Sequence, residues 1–222
     1  MFDLPETFTS EWVLGTLEPA AVIASAIAGM IIASGKRMDL VGTYSLACLN
    51  AFGGGTVRDL FLDNRPFYWW SHWGYLVAIA VICLPFVYSA KAFRFATAFH
   101  RRADRMDAIG LSLFAIAGTG IALDKGAPLV IAMLMGVITG SGGGVLRDVV
   151  VNEVPDLFRP GALYATAAFG GSATFVLCLQ EGMAYPTAVI VGTLVVLVLR
   201  LASLRLGVTI PQPQWITRED DS

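Results

Sequence analysis

Seven long stretches of the chain are apolar with little charge, near residues 18–35, 40–60, 71–90, 107–123, 128–150, 161–179 and 183–203. Each is close to the roughly 20 residues that a helix needs to cross the hydrocarbon core of a bilayer. Single open strands cannot satisfy their backbone groups in lipid, so the stretches predict helices. Glu18 and Pro19 leave the start of the first one the least defined.

Composition agrees with this pattern. Of 222 residues, 56% are apolar and 14% charged, and the mean hydropathy is +0.68. An ordinary soluble domain has roughly 45–50% apolar and 25% charged residues, so the bilayer is the expected solvent. Seven spans take up most of the length, which predicts a single membrane domain over 1–222. A net charge of -2 offers no basic surface for nucleic acid. Cys48, Cys83 and Cys178 all fall inside apolar runs and form no disulfide or zinc framework. The N-terminus MFDLPETFTSEW lacks the basic and apolar regions of a secretory leader, so the first span is expected to be retained.

Charge placement orients the spans. Lys36, Arg37, Lys91, Arg94, Arg101, Arg102, Arg105, Arg159, Arg200, Arg205 and Arg218 fall on one side, and only Arg65 and Lys125 on the other. The excess of basic residues marks the cytoplasmic side, which puts the C-terminus inside and the N-terminus outside. Phe67, Tyr68, Trp69, Trp70, Trp73 and Tyr75 form an interfacial aromatic belt where the third span enters. The segment from Lys91 to Met106 reads as a connector lying on the headgroups, and the tail 206–222 as loosely ordered and cytoplasmic.

Displacing the chain by 89 residues superimposes its halves without a gap. Gly53, Gly54, Gly55, Arg58, Asp59 and Pro66 fall on Gly142, Gly143, Gly144, Arg147, Asp148 and Pro155. Ala26, Ala28, Gly29, Lys36 and Tyr75 fall on Ala115, Ala117, Gly118, Lys125 and Tyr164. One repeat covers about 15–90, the second about 104–179, and a seventh helix at about 183–203 lies outside both. Three spans per repeat force the second copy to enter from the opposite side. The fold class is therefore all-α integral membrane, an inverted repeat of three plus three helices with a seventh added.

GGGTVRD in the second span and GGGVLRD in the fifth carry most of the functional signal. Each glycine costs about 1 kcal/mol against alanine in a helix, so a triplet is expected to break or bend the helix, or to touch another backbone. A broken helix exposes amides and carbonyls to a solute; close packing through small residues is the other reading. Arg58, Asp59, Arg147 and Asp148 each cost about 2.5 to 3.5 kcal/mol near the bilayer centre and must face an interior or water. Neighbours on a helix point about 100° apart, which favours pairing across the repeats, Arg58 with Asp148 and Arg147 with Asp59. Thr56, Thr139 and Ser141 offer hydroxyl ligands to an ion or hydrogen-bond back to their own helices. Lys36 and Lys125 read as interfacial anchors, and neither His72 nor His100 has a partner for acid–base or metal work. No nucleophile, base and orienting residue form a set, and the glycines lack a strand-to-helix dinucleotide setting, so neither an enzyme nor a cofactor is expected.

With the doubled GGGxxRD motif at this spacing, the chain resembles the prokaryotic branch of the trimeric intracellular cation channels, the TRIC family, over about residues 15 to 205. The resemblance implies a homotrimer with one pore per subunit, lined by the second and fifth spans bent at their glycines and passing monovalent cations such as potassium. Gly53 to Gly55, Arg58, Asp59, Gly142 to Gly144, Arg147 and Asp148 match its motif. It implies no metal beyond transient permeant cations. A secondary transporter of a small solute such as an amino acid is the alternative, since inverted repeats serve both. Animal members hold a phosphoinositide on a Lys-Glu-Val-x-Arg stretch that this chain lacks, so lipid control is not carried over. Equal numbers of Arg and Asp leave the motif formally neutral, so cation preference rests on the resemblance.

Overall fold

The computed structural model describes residues 10–89, 100–159 and 163–206. The described residues form seven long helices and one short one. These are α1 (Ser10–Gly35), α2 (Leu40–Phe61), the short α3 (Tyr68–Ser71), α4 (Gly74–Tyr88), α5 (His100–Asp124), α6 (Leu129–Val150), α7 (Ala165–Gln180) and α8 (Tyr185–Leu206). The fifth predicted span is thus α6. The connector over 91–99 and the tail from 207 onward lie outside the described residues.

Two helices begin well before their predicted starts at 18 and 107. Glu18 lies inside α1 and Asp107 inside α5, both nearly inaccessible, because each carboxylate meets an arginine from another helix. A charge neutralised by a buried partner does not end a span. The third span is shorter than expected: the aromatic belt forms its own turn, α3, with Trp70 and Trp73 exposed, before α4 starts at Gly74.

Local chemistry repeats at the same displacement as the sequence. Arg37 and Gly126 both take positive φ, 55° and 76°, where α1 and α5 end. Asp63 and Asn152 do the same, at 46° and 58°, after α2 and α6. The closing hydrogen bonds match as well: Met38 N to Ala33 O and Ala127 N to Ala122 O, then Asn64 N to Asp59 O and Glu153 N to Asp148 O. The next helix starts differently in each case, with Asp39 accepting from Gly42 N before α2 and Pro128 standing before α6. Pro128, the N-cap, has no N–H and supplies no side-chain cap, so the two starts are built differently.

α1 and α5 form the middle of the bundle and pack on each other; both are rich in buried alanines, and Gly110 of α5 lies against Ser25 of α1. α2 packs on α1 and α6 on α5, and α2 crosses α6. α8 covers α7 and α5, so the second repeat is flanked by a helix that has no counterpart among the described residues of the first. Apolar side chains of α4, α6 and α8, among them Val81, Val130 and Val198, face outward, as lipid-facing positions do.

Candidate functional site at the α2–α6 crossing

The glycine triplets lie where α2 and α6 meet. A Cβ on Gly54 would collide with Thr139 O, and one on Gly143 with Asn50 O. These contacts exchange under the 89-residue displacement, and as one index rises the other falls, so the two helices cross antiparallel. A Cβ on Gly142 would stand 2.9 Å from Gly54 Cα. Gly53 faces the Leu146 side chain, while Gly55 has open space, its nearest neighbour being Arg58 Nη2 at 3.8 Å.

The expectation of glycine-broken helices is corrected here. α2 and α6 keep their helical assignment through both triplets. The propensity cost of Gly54 and Gly143 is offset by backbone-to-backbone contact that any side chain would block. At these positions the triplets serve close packing, the other reading.

Just beyond each triplet lies a buried charge cluster. Arg58 Nε donates to Asp59 Oδ1 at 2.8 Å, and Nη1 donates to Glu18 Oε1 at 3.0 Å. Arg147 Nε donates to Asp148 Oδ1 and Nη1 to Asp107 Oδ1, both at 2.8 Å. Arg58 is 1% exposed and Arg147 4%, so neither reaches out to the headgroups. The predicted pairing across the repeats is therefore also corrected: each arginine bonds the aspartate next to it. Its side chain is long enough to fold back, so Nε meets the adjacent carboxylate even though the two Cβ atoms diverge.

The second acid of each cluster, Glu18 or Asp107, escaped the sequence reading. A signal was present, because the 89-residue displacement lays Glu18 on Asp107, an acid on an acid in matching spans. Each cluster thus brings two acids to one guanidinium, one more than the Arg-Asp motif itself supplies.

The clusters then differ. At Arg147, Tyr164 Oη donates to Asp107 Oδ2 at 2.8 Å and Asp156 N to Asp148 Oδ2 at 3.3 Å. Arg200 of α8 donates to Asp156 Oδ2 at 3.0 Å and lies 4.5 Å over the Tyr164 ring. At Arg58, Asn64 Nδ2 donates to Asp59 Oδ1 at 3.1 Å, and Glu18 Oε2 and Asp59 Oδ2 have no hydrogen-bond partner among the described residues. Tyr164, Asp156 and Arg200 were not predicted as site residues. Arg200 belongs to the helix outside the repeat, so no internal comparison could have pointed to it.

The predicted hydroxyls all bond back to their own helices: Thr56 to Phe52 O at 2.8 Å, Thr139 to Met135 O and Ser141 to Val137 O at 2.6 Å each. Thr56 Oγ1 also accepts Trp69 Nε1 at 3.2 Å. Gly144 sits beside the second cluster, its position for a Cβ being 2.9 Å from Tyr164 Oη. Lys36, expected as an anchor, forms an ion pair of 2.6 Å with Glu153 in the α6–α7 loop. Lys36 and Arg159 together hold the Glu153 carboxyl below the usual glutamate range, with the bond from Lys36 the largest cause.

Known proteins match this chain along most of its length. A family model described as "Glycine transporter" matches twice, over residues 16–91 and 105–180. The UPF0126 inner membrane protein YadS of Escherichia coli strain K12 is 35% identical over 192 residues, covering 84% of this chain and 89% of that protein. Among solved structures, the TRIC trimeric intracellular cation channel orthologue from Rhodobacter sphaeroides superimposes with a TM-score of 0.80 at 35% identity, covering 88% of this chain and 99% of that one. A prokaryotic TRIC channel crystallised in 0.5 M KCl gives a TM-score of 0.81 at 28% identity, covering 88% and 98%. A seven-helix membrane fold whose two halves share one family model and one chemistry of crossing glycines and buried arginines therefore assigns this chain to the TRIC family.

Proposed function

We propose that this chain is a homotrimeric channel for monovalent cations, potassium above all, with one pathway in each subunit along the α2–α6 seam. The carrying observation is the pair of buried clusters, Glu18 with Arg58 and Asp59, and Asp107 with Arg147 and Asp148. Ionised side chains inside a membrane protein are expensive and mark ion or substrate pathways. Counted formally, two acids per arginine leave each cluster with an excess of negative charge, which favours cations over anions. The likeness to solved cation channels supports the same reading.

In this reading Gly53, Gly54, Gly55, Gly142, Gly143 and Gly144 form the narrow middle, where α2 and α6 must separate for ions to pass. Thr56, Thr139 and Ser141 line the approach. The excess of Lys and Arg on one side supports a cytoplasmic C-terminus, and the likeness to an inner membrane protein of Escherichia coli supports the inner membrane of a prokaryotic cell.

The family model's description favours a second reading, uptake of a small amino acid. Planar bilayers holding the purified protein separate the two. Stepwise potassium currents that reverse near the potassium equilibrium potential support the channel. Saturable, electrically silent entry of labelled glycine into proteoliposomes, with no such currents, supports the transporter.

A further inference from the structure

Among the described residues, α8 leaves the two repeats unequally covered. In the second repeat, Phe175 and Val176 are buried, and Tyr185 of α8 meets the Phe175 ring edge-on at 5.6 Å. The 89-residue displacement carries these two positions to Phe86 and Val87 near the end of α4, where no second helix of the described residues covers them as α8 covers Phe175. Phe86 and Val87 are only half-buried. They border a cavity of about 390 Å³ with Ser34, Arg37, Met38 and Thr43.

That cavity has the chemistry of a site for an amphiphile. Its volume falls within the roughly 300–1,000 Å³ of small-molecule sites. Met38, Phe86 and Val87 supply apolar walls; Ser34, Thr43 and Arg37 supply polar groups. It lies where α1 ends, α2 begins and α4 ends, the level at which spanning helices meet headgroups. The neighbouring charges are engaged elsewhere, Lys36 with Glu153 and Asp39 with the Gly42 amide. Among the described residues no ion pair involves Arg37. Its matching position in the second repeat is Gly126, so the cation is peculiar to the open side.

We propose that the cavity between the ends of α1, α2 and α4 binds one anionic phospholipid, its phosphate on Arg37 and the upper part of its acyl chains against Met38, Phe86 and Val87. The inference needs the chain to span a membrane and is independent of whether it conducts.

The test weighs the full-length protein in a neutral detergent by native mass spectrometry while lipid is titrated in. Dioleoylphosphatidylglycerol is expected to saturate at one tightly held molecule per chain, with dioleoylphosphatidylcholine binding about tenfold more weakly. Arg37→Asn, chosen because asparagine tolerates the φ of 55° at this position, removes that preference. Val87→Trp, which fills part of the cavity, lowers occupancy by both lipids. Arg65→Gln, an exposed cation at the opposite end of the bundle, leaves binding unchanged. Inorganic phosphate alone is not retained, which sets a lipid headgroup apart from a free anion. Equal retention of the two lipids by the parent protein, or an undiminished preference in a folded Arg37→Asn variant, overturns the proposal. Thermal melting of each variant establishes that it is folded before it is weighed.

Discussion

Glu18 and Asp107 hold equivalent places: each accepts a hydrogen bond from Nη1 of the arginine 40 residues further along, Arg58 at 3.0 Å and Arg147 at 2.8 Å. The acids come from α1 and α5, the arginines from α2 and α6. Each pair ties the first helix of a repeat to the second, at opposite ends of the α2–α6 seam.

Removing the guanidinium from such a cluster leaves two buried carboxylates facing each other. Arg58→Met is expected to destabilise the protein by about 3–5 kcal/mol, the usual cost of breaking a buried ion pair on one side. Unfolding of the detergent-solubilised variant in a denaturant series measures it. Glu18→Gln keeps a hydrogen-bonding group on Arg58 and costs less.

The same carboxylate is expected to set ion preference. In Glu18→Gln the first cluster has one acid and one base, and its excess negative charge is gone. Under a potassium chloride gradient across a bilayer, the reversal potential moves toward zero relative to the parent protein. An unmoved reversal potential in both Glu18→Gln and Asp107→Asn counts against cation selection by these clusters.

Gly54 and Gly55 are neighbours with opposite tolerance. Gly54→Val drives a side chain into the Thr139 backbone and is expected to lower stability by more than about 3 kcal/mol, beyond ordinary overpacking because backbone cannot rearrange. Gly55→Ala meets only the tip of Arg58 and stays within about 1 kcal/mol, gaining helix propensity. Thermal melting of the two variants in one detergent compares them directly.

Tyr164→Phe removes the hydroxyl that Asp107 Oδ2 accepts in a buried site. An unsatisfied carboxylate oxygen of this kind costs about 1–3 kcal/mol. The loss is read as a drop in denaturant midpoint with an unchanged slope.

Glu153 carries a pH dependence of known sign. Its folded pKa lies below the unfolded value, so the stability it adds is present above the ordinary glutamate pKa and is lost as pH falls through the folded one. Both partners are exposed, so the contribution is about 0–1 kcal/mol. Lys36→Ala is expected to raise the Glu153 pKa toward its ordinary value, as followed by NMR titration of the labelled side chain.

The sequence by itself determined the solvent, the seven spans and the repeat. Apolar length is a local property, and a displacement of 89 residues needs no coordinates. It also determined that GGGTVRD and GGGVLRD matter, because intramembrane charge is costly wherever the chain folds. Only tertiary structure decided what those residues do. A glycine triplet reads alike whether it opens a helix or admits a second one, and the answer came from Thr139 O and Asn50 O on the facing backbones. Arg58 next to Asp59 reads as a neutral pair until folding brings in Glu18 from 40 residues away. The partners of Arg200 depend on where α8 packs, and span length and charge say nothing about which face of a bundle an extra helix covers.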